Sequence, residues 1–121
     1  MAVSELDVVG GLEISASLLA SENVGVSLPE LLKWARISPR TWSRRKLTGS
    51  LDIVESDRVA RALRLFDRCV DVLGSPDGAR VWLHVANPSL DRRTPWQVAG
   101  TEIGAERVFN LLGRLEHGVL G

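Results

Sequence analysis

The chain contains one cysteine, one methionine, two phenylalanines and no tyrosine in 121 residues. With Cys69 alone, no internal disulfide can form, so burial and hydrogen bonding must hold the fold. A single thiol also suits a reducing compartment. Cys69 lies three residues beyond Phe66, on the flank of an apolar stripe, and reads as buried and inert rather than reactive. No apolar run approaches the roughly 20 residues that a membrane-spanning helix needs, and the start of the chain has no basic, apolar, small-residue signal. The sequence therefore predicts a cytoplasmic protein with no membrane partner. Chemistry is thinly provided for as well. There is no Gly-rich loop ending in Lys-Ser/Thr and no Gly-x-Ser-x-Gly elbow, and His84 and His117 stand alone, away from any ligand-spaced partner. His117 before Gly118 reads more simply as a favourable charge at a helix end than as a base. No catalytic residue, metal site or cofactor is expected.

Formal net charge is zero, so the distribution of charge carries the information. Residues 1–30 hold Glu5, Asp7, Glu13, Glu22 and Glu30 and no base. Between Leu31 and Leu51 there is no acid, while Lys33, Arg36, Arg40, Arg44, Arg45 and Lys46 all carry positive charge. The remainder is nearly balanced. A positive field is thus confined to one short stretch.

That stretch, Ser27 to Ser50, reads as a helix-turn-helix. Ser27 caps a first helix, with Pro29 in its opening turn and Glu30 placed to reach back, that runs to about Ala35. Ser38 caps a second helix opened by Pro39 and stopped by Gly49. In the second helix only Trp42, with Ile37 and Leu47 flanking, is large and apolar, so Trp42 points inward. At about 100° per residue, Arg40, Ser43 and Arg44 form the outward ridge, Thr41 lies to one side, and Arg45 and Lys46 sit nearer the buried edge. A helix of this kind fits the major groove of a duplex, where Arg reaches guanine and neighbouring Lys and Arg meet phosphates. An ordinary helical hairpin with a solvated basic face is the alternative; the unbroken positive ridge favours DNA. The predicted DNA-binding set is Lys33, Arg36, Arg40, Thr41, Ser43, Arg44, Arg45 and Lys46.

No segment alternates with period two for long enough to demand a strand, so the fold class is all-α. Residues 1–25 form an N-terminal segment, read as a mobile start followed by a short helix near Ile14 to Ala20. Residues 26–74 hold the helix-turn-helix and a long helix opened by an Asp52–Glu55 capping box and stopped by Gly74. In that helix Val59, Leu63, Phe66, Val70 and Leu73 form a core stripe. Arg61, Arg64 and Arg68 form a second stripe, bracketed by Asp57 and Asp71 and read as a solvated face, with a partner-binding surface as the alternative. Residues 75–121 form a C-terminal domain. There Ser75-Pro76 opens a helix through Val81-Trp82-Leu83, Asn87 to Thr94 is a polar connection, Thr94-Pro95 caps a single turn, and Thr101 caps a last helix whose inward face is Ile103, Val108, Leu111, Leu112 and Leu115.

Val81-Trp82-Leu83, Asn87-Pro88, Leu90, Thr94-Pro95, Thr101, Gly104, Val108, Leu112, Arg114-Leu115 and Gly118-Val119 closely resemble, in order and spacing, the C-terminal domain of Xre/MbcA/ParS-like antitoxins. Ile37-Ser38, Thr41, Arg44-Arg45 and Glu55-Ser56-Asp57-Arg58 resemble the same family's Xre-type DNA-binding region, so the resemblance spans residues 26 to 119. Arg92-Arg93 stand where glycines are common in the family's loop, and Gly100 precedes Thr101 where a larger residue is usual. The resemblance implies the antitoxin of a type II toxin-antitoxin pair. Its partner would be a RES-type, NAD-depleting toxin or a related ADP-ribosylating toxin, inhibited by occlusion of its NAD pocket. Operator DNA would be bound to repress the operon, with a homodimer inside a larger toxin-antitoxin complex. It places toxin binding at Arg114, Glu116, His117, Gly118, Val119 and Leu120. A stand-alone helix-turn-helix regulator and a protein-interaction domain that has lost DNA binding remain as other readings.

Overall fold

The computed structural model describes residues 3–118; residues 1–2 and 119–121 lie outside the description. Among the described residues eight α-helices and one 3₁₀ turn follow one another: α1 (Glu5–Gly10), α2 (Ile14–Val24), α3 (Leu28–Trp34), α4 (Pro39–Thr48), α5 (Ile53–Leu73), α6 (Pro76–Leu83), the 3₁₀ turn Pro88–Leu90, α7 (Pro95–Val98) and α8 (Glu102–Glu116). The all-α class expected from the sequence is what is found. Extended pairing among the described residues amounts to two isolated bridges, Glu13 with Ser50 and Asn87 with Arg93.

Helix starts follow the Ser/Thr and Pro positions. Ser27, Ser38, Ser75, Thr94 and Thr101 each accept a hydrogen bond from the backbone N–H three residues on, and a proline opens α4, α6 and α7 where its missing N–H costs nothing. Asp52 and Glu55 form the reciprocal capping box ahead of α5, at 2.7 Å and 3.1 Å. Gly49 ends α4 in the left-handed conformation at φ 86°.

The chain forms two compact units, Met1–Arg64 and Leu65–Gly121, and α5 runs across the division. In the first unit Leu12, Ala16, Ala20, Val24, Leu31, Ile37, Trp42, Leu51, Val59 and Leu63 build the core. The start of the chain differs from expectation. Residues read as mobile form α1, because Ser4 and Asp7 make a capping box of their own. The α2 helix continues past Ala20 to Val24. After α1 the backbone is stitched to the α4–α5 loop: Leu51 N–H donates to Leu12 O at 2.8 Å, Ile14 N–H to Gly49 O at 3.1 Å, and Leu12 N–H to the Ser56 hydroxyl at 2.8 Å. The Arg stripe of α5 is also corrected. Arg61 is buried, its guanidinium 5.7 Å from the centroid of the Trp34 ring, so a desolvated cation rests on an aromatic face instead of in water. Arg64 is exposed as expected.

In the second unit Leu65, Phe66, Cys69, Ala79, Leu83, Leu90, Trp96, Val98, Val108, Leu111 and Leu112 are buried. Burial pushes the Cys69 thiol up to about 12, as befits an inert thiol. Ile103, expected inward, is 82% exposed. It precedes Val108 by five residues, about 140° around the helix, and Ala105 takes the inward place. Asp91 and Arg92 both adopt positive φ, 58° and 62°, a conformation costing an L residue about 1–2 kcal/mol. Arg107 offsets this by holding the loop: its guanidinium donates to the Asp91 carboxylate at 3.0 Å and to Ser89 O at 2.9 Å.

Gly104 fixes the approach of α7 to α8. A Cβ there would overlap the Val98 carbonyl oxygen and lie 2.9 Å from Thr101 Oγ1, both of which are held by helix ends. Gly104→Ala is expected to destabilise the chain by about 1–3 kcal/mol or more, read as a lower urea midpoint at unchanged slope. An unchanged midpoint would mean that α7 and α8 separate freely.

Candidate functional sites in the two units

The first site is the basic face of the first unit. Trp42 is the only buried residue of α4 among the described residues, and it sets which side of the helix faces out. Arg40, Ser43, Arg44 and Lys46 are all exposed, as are Lys33 on α3 and Arg36 in the turn. Thr41 is half-buried and receives the Ser38 hydroxyl proton at 3.0 Å, so it serves the helix start. Arg45 departs from the rest. Its Nε donates to Glu55 Oε1 at 2.7 Å, and its Nη2 donates to Glu55 Oε2 and Asp52 Oδ2, each at 3.2 Å. This fork and the neighbouring carboxylates hold the Arg45 guanidinium firmly charged, above its ordinary pKa. No acid neutralises the basic stretch from within, but two acids at the start of α5 take up Arg45. Its role is to fix α4 against α5, leaving the other five cations to define the face.

Arg36 has φ 56°, the left-handed region usual for glycine, and that turn sends α3 into α4. Nothing in its residue type signalled this. Beside the turn lies an open groove of about 700 Å³ with an apolar floor of Leu28, Leu32, Ile37 and Trp42 and a rim that includes Lys33, Arg36 and Ser43. Lys33 and Arg36 therefore flank the same surface as the ridge.

The second site is the C-terminal end of the second unit. Arg114, Glu116, His117 and Gly118 are exposed around the last turn of α8, while Val119 and Leu120 lie outside the described residues. Glu116 is already engaged: Arg68 Nη1 and Nη2 each reach one of its oxygens at 2.8 Å. The Arg68 guanidinium holds the Glu116 carboxyl below the usual carboxylate range, and His117 Nε2 stands 3.9 Å from Oε1. The 48-residue separation between Arg68 and Glu116 left no trace in sequence periodicity. Among the described residues, no three His, Cys, Asp or Glu side chains gather as a metal site.

Residues 69–118 match the model of the antitoxin Xre/MbcA/ParS C-terminal toxin-binding domain. The chain is 36% identical over 109 residues to "Antitoxin Xre" of Yersinia enterocolitica, an alignment covering 87% of this chain and 74% of that protein. The chain belongs to the Xre antitoxin family. A second Xre antitoxin, from Photorhabdus laumondii, is 39% identical over 93 residues, covering 75% of this chain and 63% of that one. As an Xre-family antitoxin the chain is one component of a toxin-antitoxin system. The family's toxin-binding model falls on α6, α7 and α8 with the last turns of α5, and the basic face lies outside it. No helix among the described residues is long and apolar enough to cross a membrane.

Arg107 holds the Asp91 carboxyl below its usual range, as Arg68 does for Glu116. A carboxylate with a depressed folded pKa adds stability that is fully present above its unfolded value and is lost as pH falls through the folded one. Thermal stability should therefore drop as pH falls below about 4, and the drop should be shallower in Asp91→Asn and in Glu116→Gln. Melting curves between pH 6 and pH 3 test this; parallel curves for wild type and both variants would contradict it.

Proposed function

We propose that this antitoxin represses its own operon and neutralises its toxin with separate surfaces, residues 26–74 carrying the first role and 75–121 the second. In the first, α3 and α4 act as a helix-turn-helix. The exposed Arg40, Ser43, Arg44 ridge enters the major groove, while Lys33, Arg36 and Lys46 meet phosphates. One observation carries this half: α4 is rolled by Trp42 so that its outward side bears Arg40 and Arg44, which no carboxylate meets among the described residues, while the cation facing the protein, Arg45, is bound by Glu55 and Asp52. Thr41 stays in the set as a side contact next to the helix start. Two copies of so small a reader would bind two half-sites, hence a homodimer.

In the second role, the family's toxin-binding domain supports a toxin as partner. The resemblance to RES-associated members supports an NAD-depleting or ADP-ribosylating enzyme whose NAD pocket is occluded by the end of α8, with Arg114, His117, Gly118, Val119 and Leu120 at the contact. Glu116, bound by Arg68, orients that end. The chain itself performs no catalysis in this scheme and needs no cofactor; NAD chemistry belongs to the toxin.

The two roles separate by mutation. Arg44→Ala should weaken binding to DNA from the chain's own promoter by about 1–3 kcal/mol and relax preference at one base position. Lys46→Ala should weaken all sequences alike and reduce the salt slope by about one. Deletion from His117 onward, which spares the Arg68–Glu116 fork, should abolish protection of cellular NAD against the co-expressed toxin while leaving DNA affinity intact. Operator affinity unchanged in the Arg40, Arg44 and Lys46 triple alanine variant would remove α4 from the account. Full NAD protection by the truncated chain would remove the tail, and a chain that binds DNA but has no toxin partner would be a stand-alone regulator.

A further inference from the structure

Among the described residues, the surface at the end of α8 is poor in what usually anchors a protein partner. Its described members are Arg114, Glu116, His117 and Gly118, and Glu116 is bound to Arg68. Tight interfaces draw most of their energy from a few apolar or aromatic side chains that become fully dry, surrounded by a polar rim. Such side chains are present elsewhere in the second unit. Val81 on α6 is 65% exposed and Val85, two residues beyond the end of α6, is 55% exposed, although Ala79 and Leu83 of the same helix are buried. Between them Trp82 is half-buried, and with Leu73 at the end of α5 these side chains line an open groove of about 550 Å³, edged by Asp77 and Gly78. The Asp77 carboxylate is paired with Arg80 at 3.0 Å, so the apolar stripe rather than a bare charge dominates this face.

We infer that the groove formed by Leu73, Val81, Trp82 and Val85 is a principal docking site for the toxin, which seats an apolar side chain from a helix or loop against Trp82. This rests on the reading of the second unit as toxin-binding. The occupant is the toxin because all four side chains fall inside residues 69–118, the part of the chain that matches the family's toxin-binding domain. The α8 end then works as the blocking element, while the α6 groove supplies the grip that holds it in place. Division of labour of this kind has a kinetic consequence: loss of the groove raises the dissociation rate, whereas loss of the tail leaves binding and removes inhibition.

The test uses the full chain and the protein encoded by the reading frame beside its gene, co-expressed and purified, with binding measured by surface plasmon resonance. Val81→Glu combined with Val85→Glu places charge on two exposed positions, so the fold is expected to persist, checked by an unchanged melting temperature. The expected result is a loss of toxin affinity of at least about thirtyfold, mostly in dissociation rate, with the oligomeric state of the free antitoxin unchanged. Val81→Ile with Val85→Leu, which keeps the stripe apolar, should retain affinity within a few fold. Unchanged toxin binding in the Glu variant overturns the inference, and if that variant instead loses its self-association, the groove belongs to a second copy of the chain. A wild-type chain that does not bind the neighbouring gene product would overturn the toxin-binding reading itself, a result distinct from equal binding by wild type and variant.

Discussion

The orientation of one ten-residue helix depends on two side chains. Trp42 is buried, and three residues later Arg45 is forked onto Glu55 with Asp52 alongside. Positions three apart lie on one side of a helix, so the indole and the guanidinium act as two pins along a single edge. With both in place α4 cannot roll, and Arg40, Ser43 and Arg44 stay outward. The same carboxylates also cap α5, because Glu55 accepts from the Asp52 N–H while Asp52 accepts from the Glu55 N–H. Helix start, helix roll and charge neutralisation are thus met by four side chains, Trp42, Arg45, Asp52 and Glu55. Bidentate, charge-assisted bonds of this type are the strong class, and Glu55 is buried enough for removal of its partner to be costly.

Much of this was legible in the sequence, for local reasons. A Ser or Thr cap followed within two residues by proline announces a helix start, because the cap hydroxyl accepts from an orphan N–H three residues on, and such caps mark α3, α4, α6 and α7. The roll of α4 could be read because it has so few apolar residues: one tryptophan among cations admits one solution. The C-terminal end was placed by its resemblance to a family, and the chain proves to belong to that family.

Illegible features were those in which distant residues meet. The Arg68–Glu116 fork spans 48 positions, and Arg61 on Trp34 spans 27; a stripe of arginines looks solvated until an aromatic face or a carboxylate arrives from another helix. Arg45, expected near the buried edge yet within the DNA-binding set, is taken up by acids that begin just beyond the basic stretch. The α1 helix had its signal, Ser4 and Asp7 at capping spacing, but the Gly10-Gly11 pair was read as mobility when it ends the helix. Ile103 and Leu47 are aliphatic yet exposed, a reminder that an apolar residue is not evidence of an inward face unless its angle agrees.

The basic face and the apolar groove at Val81 and Val85 lie in different units. Cations gather on α3, the turn and α4, all before Arg64, whereas the groove at Val81 and Val85 lies after Leu65. A protein built this way can hold nucleic acid and a protein partner with surfaces of different chemistry. Hydrogen exchange of the full chain, measured by mass spectrometry with and without duplex DNA from its own promoter, tests this most directly. The account predicts that slowed exchange is concentrated in residues 33–46 and that residues 69–118 exchange as before. Protection confined to residues 69–118, or none anywhere in α4 at saturating DNA, would contradict it.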